Sequence, residues 1–188
     1  MKIKMAFPNQ IENRNFLSPV GFKFILTKYP KVDFFSTKAN IPGINLGVAF
    51  QPTYLKDIPV PGDKLEFADL SLSFNVDENL ENYLSVYNWM IGLGYPENVK
   101  QFDDLRAEDR YYPDRDSRDM YNQYSDGVLQ ILNSNYQPKF QVKFKDLFPT
   151  SLTTLDFDAT NSDYTYFTAT VSFKYTVFQI QNMNGAIL

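Results

Sequence analysis

The chain has 188 residues, a net charge of -4, 17 Phe and 13 Tyr, and neither Cys nor His. Lacking both, it has no disulfide framework, no thiolate nucleophile, no Ser-His-Asp or Cys-His catalysis and no zinc site of the usual Cys-containing kind. No Lys/Arg cluster offers a phosphate footprint, no apolar run approaches the ~20 residues that span a bilayer, and the length suffices for one domain with its own core.

Residues 1–15 read as a polar N-terminal arm, without the continuous apolar stretch of a secretory signal. Over residues 21–28, Phe22, Phe24 and Leu26 alternate with Lys23, Ile25 and Thr27, which predicts a strand. Tyr29-Pro30-Lys31 is a turn signal and residues 32–38 a second strand, so a hairpin is expected. Residues 39–62 differ in character, being punctuated by Pro42-Gly43, Gly47, Pro52, Pro59 and Pro61-Gly62 around two extended runs, 45–51 and 53–60. They predict either an ordinary edge hairpin or a projecting hairpin at 44–62 that lies on a neighbouring chain. Its prolines limit it to edge-type pairing. Val48, Phe50, Tyr54, Leu55 and Ile58 are the candidate inter-subunit contacts, because these apolar side chains need a surface to cover them.

Residues 65–96 organise the chain. Leu70, Leu72, Phe74 and Val76 alternate with Ser71, Ser73 and Asn75, so 65–76 reads as one long strand. The period then lengthens: Leu80, Tyr83, Leu84, Tyr87, Met90 and Ile91 fall on one side of a helix and predict its buried face. Asp77 is the expected N-cap, Glu78 and Glu81 suit the positive end of the helix dipole, and Gly92, Gly94 and Pro96 are expected to stop the helix.

Residues 97–126 mix acids with Arg at high density and read as a solvated insert loop. Two strands follow at 127–133 and 139–145, then a bend around Pro149, a short strand at 153–158 and a long strand at 164–180, before a C-terminal tail at 179–188. In the long strand Phe167, Ala169, Val171, Phe173, Tyr175 and Val177 alternate with Thr168, Thr170, Ser172, Lys174 and Thr176. The expected architecture is mainly β, a single-domain antiparallel sandwich or open barrel with one flanking α-helix.

Catalytic chemistry is not legible. Asp77/Glu78, Asp103/Asp104, Asp114/Asp116 and Asp156/Asp158 are the paired carboxylates. Asp156 and Asp158 would share a strand face, with Phe157 opposite in the core, and a solvated face explains them as well as acid-base work does. Asp114-Arg115-Asp116 lacks the Gly and Glu of a calcium loop, and the Gly pair at 92 and 94 follows a helix instead of opening one. Trp89, the only Trp, reads as a packing residue.

The order of segments carries more information. Ile41 to Ile44 (IPGI), then DIPVPGDKLEFADLSLSF at 57–74, then VDENLENYLSVYNWM at 76–90, resemble the tail-tube proteins of contractile-tailed bacteriophages. The stretch 142–175 is similar to that family's closing segment, with Pro149-Thr150 at its bend, 155–158 its short strand and 167–175 its final strand. The resemblance implies a β-sandwich with a flanking helix, shared with type VI secretion needle proteins, six copies to a ring, and rings stacked on one another and on sheath, baseplate or neck proteins. It implies a virion tail protein assembled in the host cytoplasm and a conduit through which DNA passes without specific binding, with no catalytic residue, metal, cofactor or membrane contact. The extra arm, insert and tail suit a specialised ring that begins, ends or caps the tube. A virion-associated carbohydrate-binding β-sandwich or carboxylate-based glycosidase, using the Tyr-rich stretch 111–124, is the alternative. In a conduit the wall must not grip a polyanion, so the neutral rows Ser71, Ser73, Asn75, Thr168, Thr170 and Ser172 are the candidate lumen-facing residues, with Lys174 needing an acid beside it.

Overall fold

The computed structural model describes residues 17–29, 35–107, 123–157 and 166–187. Its strands are β1 (Phe22–Leu26), β2 (Ser36–Ala39), β3 (Ile44–Gln51), β4 (Ile58–Phe67), β5 (Leu70–Asn75), β6 (Ser125–Leu132), β7 (Pro138–Leu152), β8 (Thr168–Lys174) and β9 (Val177–Asn182). Between β5 and β6 the described residues form two helices, α1 (Glu81–Gly94) and α2 (Lys100–Ala107).

All pairings between these strands are antiparallel, and β7 connects two layers. Up to Lys145, β7 pairs with β9 on one side, and it pairs with β6 on the other; β1 adds to the far side of β6. From Phe148 onward it pairs with β8 instead, and β5 and β2 continue that second layer. The switch falls at Asp146, whose φ of 54° is left-handed. That extra residue is a bulge, and it inverts the burial parity: Val142 and Phe144 point into the core before it, Leu147 and Pro149 after it. The return crossing lies alongside. Between β8 and β9 the chain passes through Tyr175 and Thr176, and the Thr176 amide donates to the Lys145 carbonyl at 3.0 Å. Parity shifts here too, from Phe173 to Phe178.

One core fills the space between the layers. Leu70, Leu72 and Phe74 of β5 and Ala169, Val171 and Phe173 of β8 meet Phe24, Leu26, Leu129, Ile131, Val142 and Phe144 from the other sheet. The mainly-β class with a packed helix is as the sequence predicts, and β5 and β8 bury the faces their alternation assigns.

Several expectations need correction. The strands near residues 21–28 and 32–38 do not form a hairpin: β1 pairs with β6, and β2 pairs with β5 in the other layer. The long strand 65–76 is two strands, because Ala68 and Asp69 separate β4 from β5. The long strand 164–180 is likewise broken at Tyr175-Thr176, so Phe178 is buried where Val177 was expected. The bend near Pro149 lies within continuous β7, three residues after the true corner at Asp146. Residues 153–157 are not a strand. The tail begins inside β9 and folds back, the Asn182 amide donating to the Ala186 carbonyl. The N-terminal arm lies outside the described residues.

The helix is rotated from its expected face, with Tyr83 and Met90 still packed against the core. Asn82, Val86, Trp89 and Gly92 are buried, whereas Leu84 and Tyr87 remain 44% and 46% exposed. Trp89 decides the rotation: its ring stands 6.2 Å from Phe173 and 5.5 Å from Tyr29, and its Nε1–H donates to the Gln123 carbonyl at 3.0 Å. Asp77 is not the N-cap. The helix starts after Leu80, which has φ 58°, and Asn82 ties the entry instead. Its amide nitrogen donates to the Asn75 carbonyl, and its oxygen accepts from the Asp77 amide. The helix ends at Gly94, within the expected stop, and is capped by Tyr95, with φ 32°, just before Pro96; Gly92 lies inside it. Gly92 is where α2 approaches, since a Cβ there would sit 2.8 Å from the Leu105 Cβ. Leu105 is buried, so part of the charged insert is a packed helix and not a loop. Residues 108–122 of that insert lie outside the described residues.

Trp89→Ala should therefore destabilise the dissociated subunit by about 3–5 kcal/mol, whereas Leu84→Ala, at a half-exposed position, should cost under ~1 kcal/mol. Urea titrations of both variants check this, and a larger loss for Leu84→Ala would restore the face predicted from periodicity.

Candidate functional site

β3 and β4 form a two-stranded ribbon that pairs with no other strand of the described structure. All eight residues of β3 are exposed. The candidate contacts gather there: Val48, Phe50 and Ile58 are 59%, 66% and 48% exposed on the strands, and Tyr54 and Leu55 stand fully exposed in the turn. Among the described residues none buries these side chains. The ribbon carries a register shift between Leu46 and Val48, where Gly47 opposes Gly62 so closely that a Cβ at Gly62 would run into the Gly47 carbonyl. Inside the turn, the Thr53 hydroxyl donates to the Lys56 carbonyl.

The ribbon is held firmly at its root. The Ala68 amide donates to the Gly43 carbonyl at 3.0 Å. Asn40 bridges the two connections, its Nδ2 donating to the Asp69 carbonyl and its Oδ1 accepting from the Ser71 amide at 2.6 Å. Phe67 packs edge-on to Phe178 and tilted against Tyr175. The Tyr175 hydroxyl donates to the Ala68 carbonyl at 2.8 Å. Lys174 pairs with Asp69 at 2.5 Å, which supplies the acid that Lys174 was expected to need. The corner where β8 crosses to β9 is thus also the base of the projection. Asn40 and Asp69 carry no signal in the sequence, and Tyr175 reads there only as an inward position of the last strand; the Pro-Gly signal at 42–43 and the adjoining aromatics hint at a fixed root.

The neutral rows come together on the outward face of the second layer. Ser71 lies opposite Ser172, Ser73 opposite Thr170 and Asn75 opposite Thr168. Ser73 Oγ and Thr170 Oγ1 are 2.9 Å apart, and Thr168 Oγ1 donates to Asn75 Oδ1. Hydroxyls on flanking segments extend the face: Thr37 Oγ1 donates to the Ser73 carbonyl and Thr150 Oγ1 to the Ser172 carbonyl. Lys38 lies opposite Ser73 and adds a positive charge to this row.

No acid-base site forms among the described residues. No group of three or more His, Cys, Asp or Glu could hold a metal there. Asp156 is exposed; Asp158, Asp114, Asp116 and most of the Tyr-rich stretch 111–124 lie outside the described residues. Phe157 is not a core residue but 76% exposed, its ring 4.7 Å from Phe167. An apolar cleft lined by Met90, Leu93, Tyr124 and Phe148 contains no carboxylate. Among the described residues no helix is long and apolar enough to cross a membrane.

A chain of the anti-feeding prophage cap, its tube terminating cap, superposes with a TM-score of 0.62 at 18% identity, over 97% of this chain and 99% of its own. The chain has a tail-tube fold. A chain of the sixfold-symmetrised anti-feeding prophage baseplate matches with TM-score 0.56 at 13% identity, over 86% of this chain and 91% of its own. One from the extended sheath-tube complex of the PVC extracellular contractile injection system matches with TM-score 0.55 at 13% identity, over 90% and 94%. By sequence, no family model and no curated protein matches. The tail-tube fold thus spans the sheets, the helix and the ribbon together.

The root makes a pH prediction. Burial, and secondarily the charge of Asp69, push the Tyr175 hydroxyl up to about 12 from its usual 10.0. The fold favours the protonated phenol, so this contribution is complete below pH ~10 and is lost as pH rises towards ~12. An alkaline absorbance titration of the chain minus that of Tyr175→Phe should show the missing phenol ionising near pH 12; a missing step near pH 10 contradicts the anchoring role.

Proposed function

We propose that this chain is a ring-forming structural subunit of a contractile injection tail, of the tube or tube-capping type, with six copies closing a ring. The observation that carries the reading is the exposed, rigidly rooted apolar ribbon on a tail-tube fold. A monomer gains nothing from ordering such a ribbon and leaving it in water, whereas a neighbouring subunit gives it a surface. The match to a tube terminating cap along nearly the whole of both chains supports the capping form in particular. In this reading the Ser71, Ser73, Asn75, Thr168, Thr170 and Ser172 face lines the bore. It is a largely neutral, hydrogen-bonding wall on which a polyanion such as DNA finds little to hold it; Asp69 offsets Lys174, and Lys38 adds one positive charge. Neighbouring rings, sheath or baseplate components are the partners, the host is a phage or phage-like particle, and no residue is assigned a catalytic or cofactor role.

Light scattering and negative-stain imaging of the purified chain test this. The expected particle is a closed ring of about six times the 21.8 kDa subunit. Phe50→Asp combined with Leu55→Asp should leave monomers with unchanged circular dichroism, since two carboxylates placed in an apolar contact cost several kcal/mol. A chain that stays monomeric at high concentration, or rings that survive the double substitution, overturns the reading. Rings that stack indefinitely identify a tube subunit, and rings that stop at one layer a cap.

A further inference from the structure

The second layer carries almost no charge. β2, β5, β8 and the part of β7 from Phe148 onward contain two charged residues between them, Lys38 and Lys174. Asp69 pairs with Lys174. Lys38 is exposed and forms no ion pair among the described residues. Its direction follows from the register. Ala39 stands opposite the buried Leu72, and Lys38 stands opposite Ser73, which in turn faces Thr170. Directly opposed residues project to the same side, and successive residues to opposite sides. Lys38, Ser73 and Thr170 therefore form one row on the outward face, flanked by the Ser71/Ser172 and Asn75/Thr168 pairs. All of these neighbours are uncharged hydrogen-bonding side chains, so no carboxylate of these rows offsets the ammonium.

An ordinary role for such a lysine is to guard an edge. β2 is the last strand of its layer, and a charge on an edge strand blocks unwanted pairing. Here that protection exists without it. β2 has only 4 residues, and its pairing is interrupted by a register shift between Ser36 and Lys38. A short, irregular edge is already a poor template for another strand.

Building on the reading of this face as the bore of a ring, we propose that Lys38 is the selectivity residue of the conduit. Repeated around the ring, it forms a collar of positive charge that admits a nucleic acid and repels cationic cargo. Rings of Lys or Arg serve anion and phosphate pores in this way. Ring symmetry sets every copy of Lys38 at one height, and a cleft with low-dielectric walls focuses the summed field into its lumen. A nucleic acid fits the collar better than an acidic polypeptide on two grounds. Its charges recur every ~1.7 Å along a duplex axis, so each position of the strand offers the collar a phosphate and no position is a deep resting point. Ser, Thr and Asn side chains also donate to phosphate oxygens, and these are the residue types around Lys38. One lysine per subunit gives a weak hold, which biases entry and still permits sliding.

The chain has no Cys, so Ser73→Cys places a single thiol in the row of Lys38. Its reaction with two methanethiosulfonates of equal size, one anionic and one cationic, reads the local potential when each rate is taken relative to free cysteine. In assembled particles at low salt, the anionic reagent should react at least about tenfold faster than the cationic one. Adding Lys38→Gln should bring that ratio to within about twofold of unity. Lys38→Arg should preserve it, and so should Lys23→Gln, which alters an exposed lysine of β1 in the other layer. A single-stranded oligonucleotide should slow labelling at position 73 more than polyglutamate of the same total charge does. A particle ratio that Lys38→Gln leaves unchanged, or that equals the ratio in the dissociated chain, overturns the collar while leaving the ring intact. Polyglutamate that protects position 73 as well as the oligonucleotide overturns the choice of nucleic acid. An unsubstituted chain that forms no particle overturns the ring reading and the collar with it.

Discussion

Two strands turning one corner hold this structure together. β7 changes sheets at Asp146, β8 passes into β9 through Tyr175 and Thr176, and a hydrogen bond from Thr176 to Lys145 locks the crossings side by side. Everything else hangs from that corner. The parity of the core residues on both sheets is set there, because each crossing shifts the inward-pointing positions by one. The ribbon is rooted there as well, through the Tyr175 hydroxyl and the packing of Phe67 against Phe178. The root of the ribbon is thereby tied to the centre of the fold.

Magnitudes favour the proposed ring over a single pairwise contact. Fully burying one large apolar side chain is worth about 1.5–3 kcal/mol. The ribbon offers a handful, already partly shielded, against an association cost of about 4–15 kcal/mol. One ribbon on one neighbour is a weak contact. A closed ring repeats the contact around its circumference and pays the ordering of the last subunit once for two interfaces, which is how modest patches yield a lasting particle.

The sequence makes some of this legible and hides the rest for physical reasons. The alternations in β5 and β8 mark their buried faces because a half-buried strand needs only period 2. The ribbon is visible in the spacing of Pro and Gly around apolar residues. The strand ends are not, since Ala68-Asp69 and Tyr175-Thr176 break continuous alternation without a Gly or Pro to announce it. The partnership of β1 with β6 spans about a hundred residues, and local turn chemistry at Tyr29-Pro30 says nothing about it. The helix misled because it is apolar over a broad arc. Leu84 and Tyr87 complete a convincing stripe, but the core takes the stripe holding Trp89, whose bulk and indole N–H both require an enclosed partner. Leu84 and Tyr87 are then left half-exposed.

In the proposed ring the ribbon faces a neighbour and the hydroxyl face of the second sheet faces the bore. A cryo-EM reconstruction of the assembled ring tests both at once. Ser73 and Thr170 should lie on the channel wall, with residues 48–51 and 58–61 buried between subunits. A bore lined mainly by Lys and Arg, or by α1, with the Ser/Thr rows packed against an outer shell, would contradict it.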